Sequence, residues 1–133
     1  RSALIRIPHC SEGQDNAVRA ELRCPDPSCS PYLAFAAILA AGLDGITQEM
    51  KPPKPLNNVN VYHLTEEERL SMNIPQLPAS LLEALEELER CSVVKNALGN
   101  EIYSAFRRAK MEEWDAFRVH VTDWETEHFL ENA

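Results

Sequence analysis

Between Pro31 and Leu43 the sequence reads PYLAFAAILAAGL, a run without a charged side chain. Two prolines, Pro25 and Pro27, bar both strand and helix immediately before it. Ser30 then suits an N-cap, and Pro31 suits the first helical position, where a missing amide hydrogen costs nothing. A helix apolar around nearly its whole circumference has to be buried on most of it, and its alanines permit close backbone approach. Such a helix needs layers on two sides. The rest of the chain offers strands for only one, so the 133 residues are not expected to complete this core by themselves.

Upstream of the prolines, Val18 to Arg23 reads VRAELR. On a strand, Arg19, Glu21 and Arg23 line one face while Val18, Ala20 and Leu22 line the other, which should face a core. Ser2 to Pro8 alternates in the same way, with Ala3, Ile5 and Ile7 on one face and Leu4 and Arg6 on the other. His9 to Asn16 is a polar loop containing Gly13, so the two strands are expected to form an antiparallel hairpin. If the charged faces coincide, Arg6 joins Arg19, Glu21 and Arg23. A solvated face with cross-strand ion pairs satisfies this pattern. So does an anion and metal site, because guanidiniums bind phosphate or carboxylate oxygens bidentately and a carboxylate ligates a hard cation.

Charge is divided unevenly. Residues 1–64 hold six basic and six acidic side chains, whereas residues 65–133 hold seven and fifteen, which carries the whole net charge of −8. An acidic helical half argues against nucleic acid as a partner, and no apolar span, signal or lipidation motif points to a membrane. A zinc site joining His9, Cys10, Cys24 and Cys29 is disfavoured by the two prolines between Cys24 and Cys29 and by the lack of a second close pair. Free thiols in a cytoplasmic protein are expected instead.

The remainder reads as helices. Lys51 to Asn60 is a proline- and asparagine-rich connection, and Tyr62 beyond it is expected to be partly buried with its hydroxyl as a polar handle. Thr65 with Glu68, Ser80 with Glu83 and Thr122 with Glu125 fit the capping-box pattern. They predict a short helix after Thr65, one from Leu81 to about Arg90 with Leu81, Leu82, Leu85 and Leu88 on its apolar face, and a last helix after Thr122. Between these, Gly99 should stop a short helix from Ser92. Asn100 then caps the longest one, from Glu101 to about Val119, with Ile102, Phe106, Ala109 and Phe117 towards a core and Arg107, Arg108, Lys110, Glu112 and Glu113 on a solvated or interfacial face. Trp124, Phe129 and Leu130 give the terminal helix enough apolar area to dock, on its own chain or on another. The fold class is therefore α+β: an antiparallel hairpin (1–24) followed by packed helices (30–133).

RSALIRIP (1–8) and RAELRCPDPSCSPYLAFAAILAAGLDGI (19–46) together resemble the C-terminal part of the catalytic domain of bacterial and archaeal glutamine synthetases, and the resemblance continues through NVYHLTEEE (60–68) to the end. Its most specific part is Glu21-Leu22-Arg23-Cys24-Pro25-Asp26-Pro27-Ser28 with Pro31-Tyr32-Leu33. Members of this family are several times longer, and the chain opens on Arg1 in mid-strand, so it is expected to be a segment of a longer ligase and inactive alone.

The resemblance implies a glutamate–ammonia ligase that makes glutamine from glutamate, ammonia and ATP through a γ-glutamyl phosphate. It implies a hairpin that is part of a larger catalytic sheet, ATP and Mg2+ or Mn2+ as cofactors, and a homo-oligomer of two hexameric rings in which the terminal helix inserts into the facing ring. Residue by residue, Glu21 matches a metal-ligating glutamate and Arg23 the arginine that holds substrate glutamate. Arg1 and Arg6 match arginines contacting ATP phosphates and the transferring phosphoryl group, and Arg19 matches a nucleotide-side arginine. Tyr62 falls in a segment where some bacterial members carry an adenylylated tyrosine, although His63 departs from the Asp usual there. Leu22 for the common valine and Ser30 for the usual asparagine leave the chemistry intact. Two other readings stay open: a ligase of the same fold joining glutamate to a polyamine, whose members usually carry Gly-Ala-Asp near the Pro-Asp-Pro position, and a non-catalytic helical interaction module.

Overall fold

The computed structural model describes residues 3–57 and 59–130. It divides into two compact units, Arg1–Gln76 and Leu77–Ala133.

In the first unit, β1 (Ile5–Arg6) and β2 (Glu21–Leu22) pair antiparallel in the register Ile5↔Leu22 and Arg6↔Glu21. The hairpin is as expected, but its regular pairing is shorter than the alternation suggested. The ladder extends by an Arg23 N–H bond to the Leu4 carbonyl at 2.8 Å, and a single 3-10 turn, Asp15–Ala17, interrupts the connecting loop. With no second layer described over them, Val18 and Leu22 are exposed rather than core residues. An alternating pattern selects a face, and burying that face takes a partner the hairpin does not itself supply.

The apolar helix α1 spans Pro31–Thr47, four residues further than the sequence suggested. Pro31 stands in its first turn, and Ser30 has the extended backbone of an N-cap without a side-chain cap bond. The helix ends in a Schellman arrangement, with Met50 N–H on Gly45 O at 2.9 Å and Glu49 N–H on Ile46 O at 3.1 Å. Glu49 takes the left-handed position there, at φ 51°. The expected burial of α1 is not met within this chain. Leu33, Ala36, Ala37, Ala40 and Asp44 form a half-buried stripe, while Tyr32, Phe35, Leu39 and Ile46 are exposed, Phe35 to 70%.

Tyr62 is also a correction: it sits on a second 3-10 turn, Val61–His63, and is 80% exposed rather than partly buried. The short α2 (Glu66–Ser71) follows with the complete Thr65–Glu68 capping box. Glu68 N–H bonds Thr65 Oγ1 at 3.2 Å, and Thr65 N–H bonds Glu68 Oε2 at 2.8 Å.

The second unit is a helical hairpin followed by a short helix. Helix α3 (Leu81–Arg90) packs on α4 (Ser92–Arg118). The leucine face of α3 is its least exposed side, with Leu85 only 4% exposed. Ser80 caps α3 by accepting from Glu83 N–H, but the Glu83 carboxylate turns to Ala79 N–H, one residue upstream of the expected partner. Inside α4, Gly99 breaks the helical geometry at φ 73° and ψ 158°, so two helical segments meet where a stop was expected. Only glycine adopts this region at low cost.

Beyond Gly99 the half-buried stripe of α4 is Tyr103, Phe106, Arg107, Lys110, Met111 and Trp114. Ile102 and Phe117 are exposed, so the face is rotated from the expected one. Arg107 and Lys110 lie on this half-buried side although charged, as long amphipathic side chains can; each pairs with a carboxylate, while Arg107 Nε is buried without a hydrogen-bond partner. Arg107 reaches Glu89 at 3.2 Å and Lys110 reaches Glu113 at 2.6 Å. The last helix, α5 (Asp123–Phe129), has a complete Thr122–Glu125 capping box. Its Trp124 and Phe129 rings meet edge to face at 5.8 Å, and Trp124, Phe129 and Leu130 remain mostly exposed.

Candidate functional site

The hairpin register sets Arg6 directly opposite Glu21, and the two-residue period of the strand puts Arg19 and Arg23 on the same face. All three guanidiniums converge on one carboxylate. Arg6 Nη1 donates to Glu21 Oε2 at 3.1 Å and to Oε1 at 3.4 Å. Arg19 Nη2 donates to Oε1 at 3.1 Å, and Arg23 Nη2 to Oε2 at 3.5 Å. Arg19 is steadied further by an Nη1 bond to the Ala17 carbonyl at 3.4 Å. Glu21 is the most enclosed of the four side chains at 28% exposure.

These partners hold the Glu21 carboxyl below the ordinary carboxylate range. The Arg6 hydrogen bond is the largest cause, partial burial opposes it, and the positive charges of Arg6 and Arg19 add to the lowering. The group is therefore an anion at neutral pH. Three guanidiniums around one carboxylate leave a local net charge of +2, which suits a polyanion such as a phosphate chain. As a metal ligand, Glu21 fits as one hard oxygen donor. Among the described residues no group of three or more His, Cys, Asp or Glu side chains could hold a metal ion, so Glu21 supplies one ligand and not a coordination sphere.

Following β2 in the chain, Asp26 organises the proline turn. Its Oδ1 accepts from both Ser28 N–H and Ser28 Oγ at 2.6 Å, and its carbonyl accepts from Cys29 N–H at 3.0 Å. In the sequence Asp26 stands out only as part of the Pro25-Asp26-Pro27 motif, with no role of its own. The signal was present, since Asp two residues before Ser, with Pro between them, is an Asx-turn pattern. This turn carries the chain from β2 into α1. Of the other residues singled out, Arg1 lies outside the described residues, and Tyr62 stands on its own exposed turn, where Asn60 Oδ1 accepts its backbone N–H at 3.2 Å. Cys24 and Cys29 are free and exposed; Cys10 and Cys91 are free and half-buried.

Comparison with known proteins places this geometry in context. The family model described as "Glutamine synthetase, catalytic domain" matches residues 1–129. The glutamine synthetase of Thermotoga maritima is 51% identical over 130 residues, covering 98% of this chain and 29% of the relative. Those of Methanocaldococcus jannaschii and Thermus thermophilus are each 48% identical over 130 residues, covering 98% of this chain and 28% of the relative. A solved structure of a GmaS/ADP complex superposes with a TM-score of 0.74 at 39% identity, over 84% of this chain and 25% of that one. The chain thus spans less than a third of the length of the curated relatives it matches.

Proposed function

The chain belongs to the glutamine synthetase catalytic-domain family, and from that premise we propose that it is the C-terminal part of an ATP-dependent glutamate–ammonia ligase. The observation that carries the reading is the convergence of Arg6, Arg19 and Arg23 on Glu21, in a chain about half identical to curated glutamine synthetases. In the reaction, a γ-carboxylate oxygen of glutamate attacks the terminal phosphorus of ATP and ADP leaves. Ammonia then attacks the resulting acyl phosphate carbon, phosphate leaves and a proton is lost.

Each step concentrates negative charge, and fixed positive groups lower its barrier. Arg6 and Arg19, with Arg1, take the nucleotide phosphates and the transferring phosphoryl group. Arg23 takes the substrate glutamate, and Glu21 ligates Mg2+ or Mn2+. The cation, when bound, neutralises charge on the phosphoryl oxygens. The further ligands and the ammonia site belong to the part of the relatives that this chain does not span. Exposed Trp124, Phe129 and Leu130 on α5 suit docking against another subunit of a two-ring homo-oligomer. Exposed Tyr62 is accessible to adenylylation. Free exposed thiols suit the reducing cytoplasm, and among the described residues no helix is long and apolar enough to cross a membrane.

The test is Glu21→Gln in the full-length protein, assayed for glutamine formed from glutamate, ammonium and ATP. Activity should fall on the order of a hundredfold or more, with the protein still folded. Full activity in the variant would reject the assignment. Faster turnover with putrescine or another organic amine than with ammonium would move the acceptor to the amine-using branch.

A further inference from the structure

Of the three guanidiniums on Glu21, that of Arg23 is held least by the carboxylate. Its contact is 3.5 Å, against 3.1 Å for Arg6 and for Arg19, yet its side chain is the least exposed of the three arginines, at 36%. A solvent-accessible ion pair contributes little, so the placing of Arg23 falls mainly to its backbone. On the upstream side that backbone is tied to the hairpin by the bond from Arg23 N–H to the Leu4 carbonyl at 2.8 Å. Downstream, the chain leaves the sheet and enters the proline turn.

That turn closes on Asp26. Ser28 N–H and Ser28 Oγ both donate to Asp26 Oδ1 at 2.6 Å, and Cys29 N–H donates to the Asp26 carbonyl at 3.0 Å. Pro25 and Pro27 fix φ on either side, and Pro27 also disfavours the helical region for Asp26 itself. Ser30 makes no side-chain bond to the first turn of α1, so the entry into that helix is not set by its own cap.

Resting on the function proposed above, we propose that Asp26 is a positioning residue for Arg23, and through it for the substrate glutamate. The Asp26 carboxylate clamps the turn, the turn fixes the path of the chain leaving β2, and that path aims Arg23. Asn carries the same acceptor oxygen at the same distance from the backbone, whereas Glu carries the same charge one methylene further out. Charge and turn geometry therefore make opposite predictions for the two replacements. The nucleotide side of the site should not depend on the turn. Arg6 is placed by its register opposite Glu21, and Arg19 by its Nη1 bond to the Ala17 carbonyl at 3.4 Å.

The test compares Asp26→Ala, Asp26→Asn and Asp26→Glu with wild type in the full-length protein, by steady-state glutamine formation and by hydrogen exchange of the Ser28 and Cys29 amides. Asp26→Ala and Asp26→Glu should raise the KM for glutamate about tenfold and leave the KM for ATP within about twofold, with both amides exchanging faster. Asp26→Asn should stay within about twofold of wild type in each reading, because it can still close the turn. A role in stability alone would lower the active fraction, and so kcat, with both KM values unmoved. That outcome, equal rises in both KM values, or a wild-type Asp26→Glu beside an impaired Asp26→Asn would each overturn the assignment. The Asn and Glu variants carry the comparison if Asp26→Ala does not fold. A wild-type protein that forms no glutamine would reject the function and the assignment with it; glutamine formation with the glutamate KM unmoved in every variant would reject the assignment alone.

Discussion

Helices α1 and α3 bring opposite patterns to the same problem. Helix α3 is amphipathic: Leu81, Leu82, Leu85 and Leu88 lie on one side, acidic residues on the other, and one packed partner, α4, suffices to bury Leu85. Helix α1 is apolar on nearly every side, and within this chain it covers only the stripe through Leu33, Ala37 and Ala40. The second unit thus holds the one buried hydrophobic side chain among the described residues, Leu85, and no proposed chemistry. The first holds the arginine cluster on a scaffold with much of its apolar surface open. A site can therefore be locally ordered by strand register and ion pairs while the helix that follows it still lacks cover.

The strongest way to break this contrast is a pair of truncations. Leu85→Ala should destabilise the second unit by about 3 kcal/mol, through lost transfer energy and the cavity left behind, read by denaturant unfolding. Leu39→Ala, at a side chain 64% exposed, should cost less than about 0.5 kcal/mol in this chain. If the rest of a longer protein covers α1, the same Leu39→Ala change there should cost as much as Leu85→Ala does here. Equal costs in the short chain would mean the contrast between the units is wrong.

A smaller effect is expected at Gly99. A methyl group there meets no atom within 4 Å, so the cost of Gly99→Ala is purely that of its backbone conformation. It should be about 2 kcal/mol, and a cost near zero would mean that α4 can straighten through residue 99. Smaller again is Thr122→Ala, which removes the cap of α5 and should cost about 1 kcal/mol, seen as faster amide exchange at Glu125. Unaltered exchange would show that α5 is held by something other than its cap.

The least change is expected from pH. Glu125 is held below the ordinary value of 4.5, first by the Thr122 backbone N–H and then by the Thr122 hydroxyl, and Glu21 is lowered by its arginines. A carboxylate with a lowered folded-state pKa stabilises the fold above its unfolded pKa and loses that contribution as pH falls through the folded value. The stability gap between wild type and Glu125→Gln should therefore be full at neutral pH and shrink below about pH 4.5. A gap independent of pH would show that the carboxylate charge contributes nothing to the cap.

Much of this molecule was legible locally. Capping boxes at Thr65 and Thr122 predicted two helix starts, because side chain and backbone lie within one turn. Gly99 was readable as a break because its conformation is a property of one residue. The shared face of Arg19, Glu21 and Arg23 followed from strand parity. Less legible were Arg107 and Lys110, which lie on the half-buried side of α4; charge alone predicts solvent, and only packing shows which side they take. Tyr62 and the outer face of α1 were misjudged for the same reason in reverse. An apolar or aromatic residue signals a demand for burial, and the demand does not create the partner.

The sequence by itself determined helix ends, strand faces and the residue types of the site, since these depend on neighbours a few positions away and on fixed backbone geometry. Tertiary structure decided that Arg6, fifteen residues from Glu21, meets it at 3.1 Å, and that Arg19 and Arg23 join on the same carboxylate. Residue spacing leaves the hairpin register and loop length free, and a shift of one residue would have turned Arg6 to the opposite face.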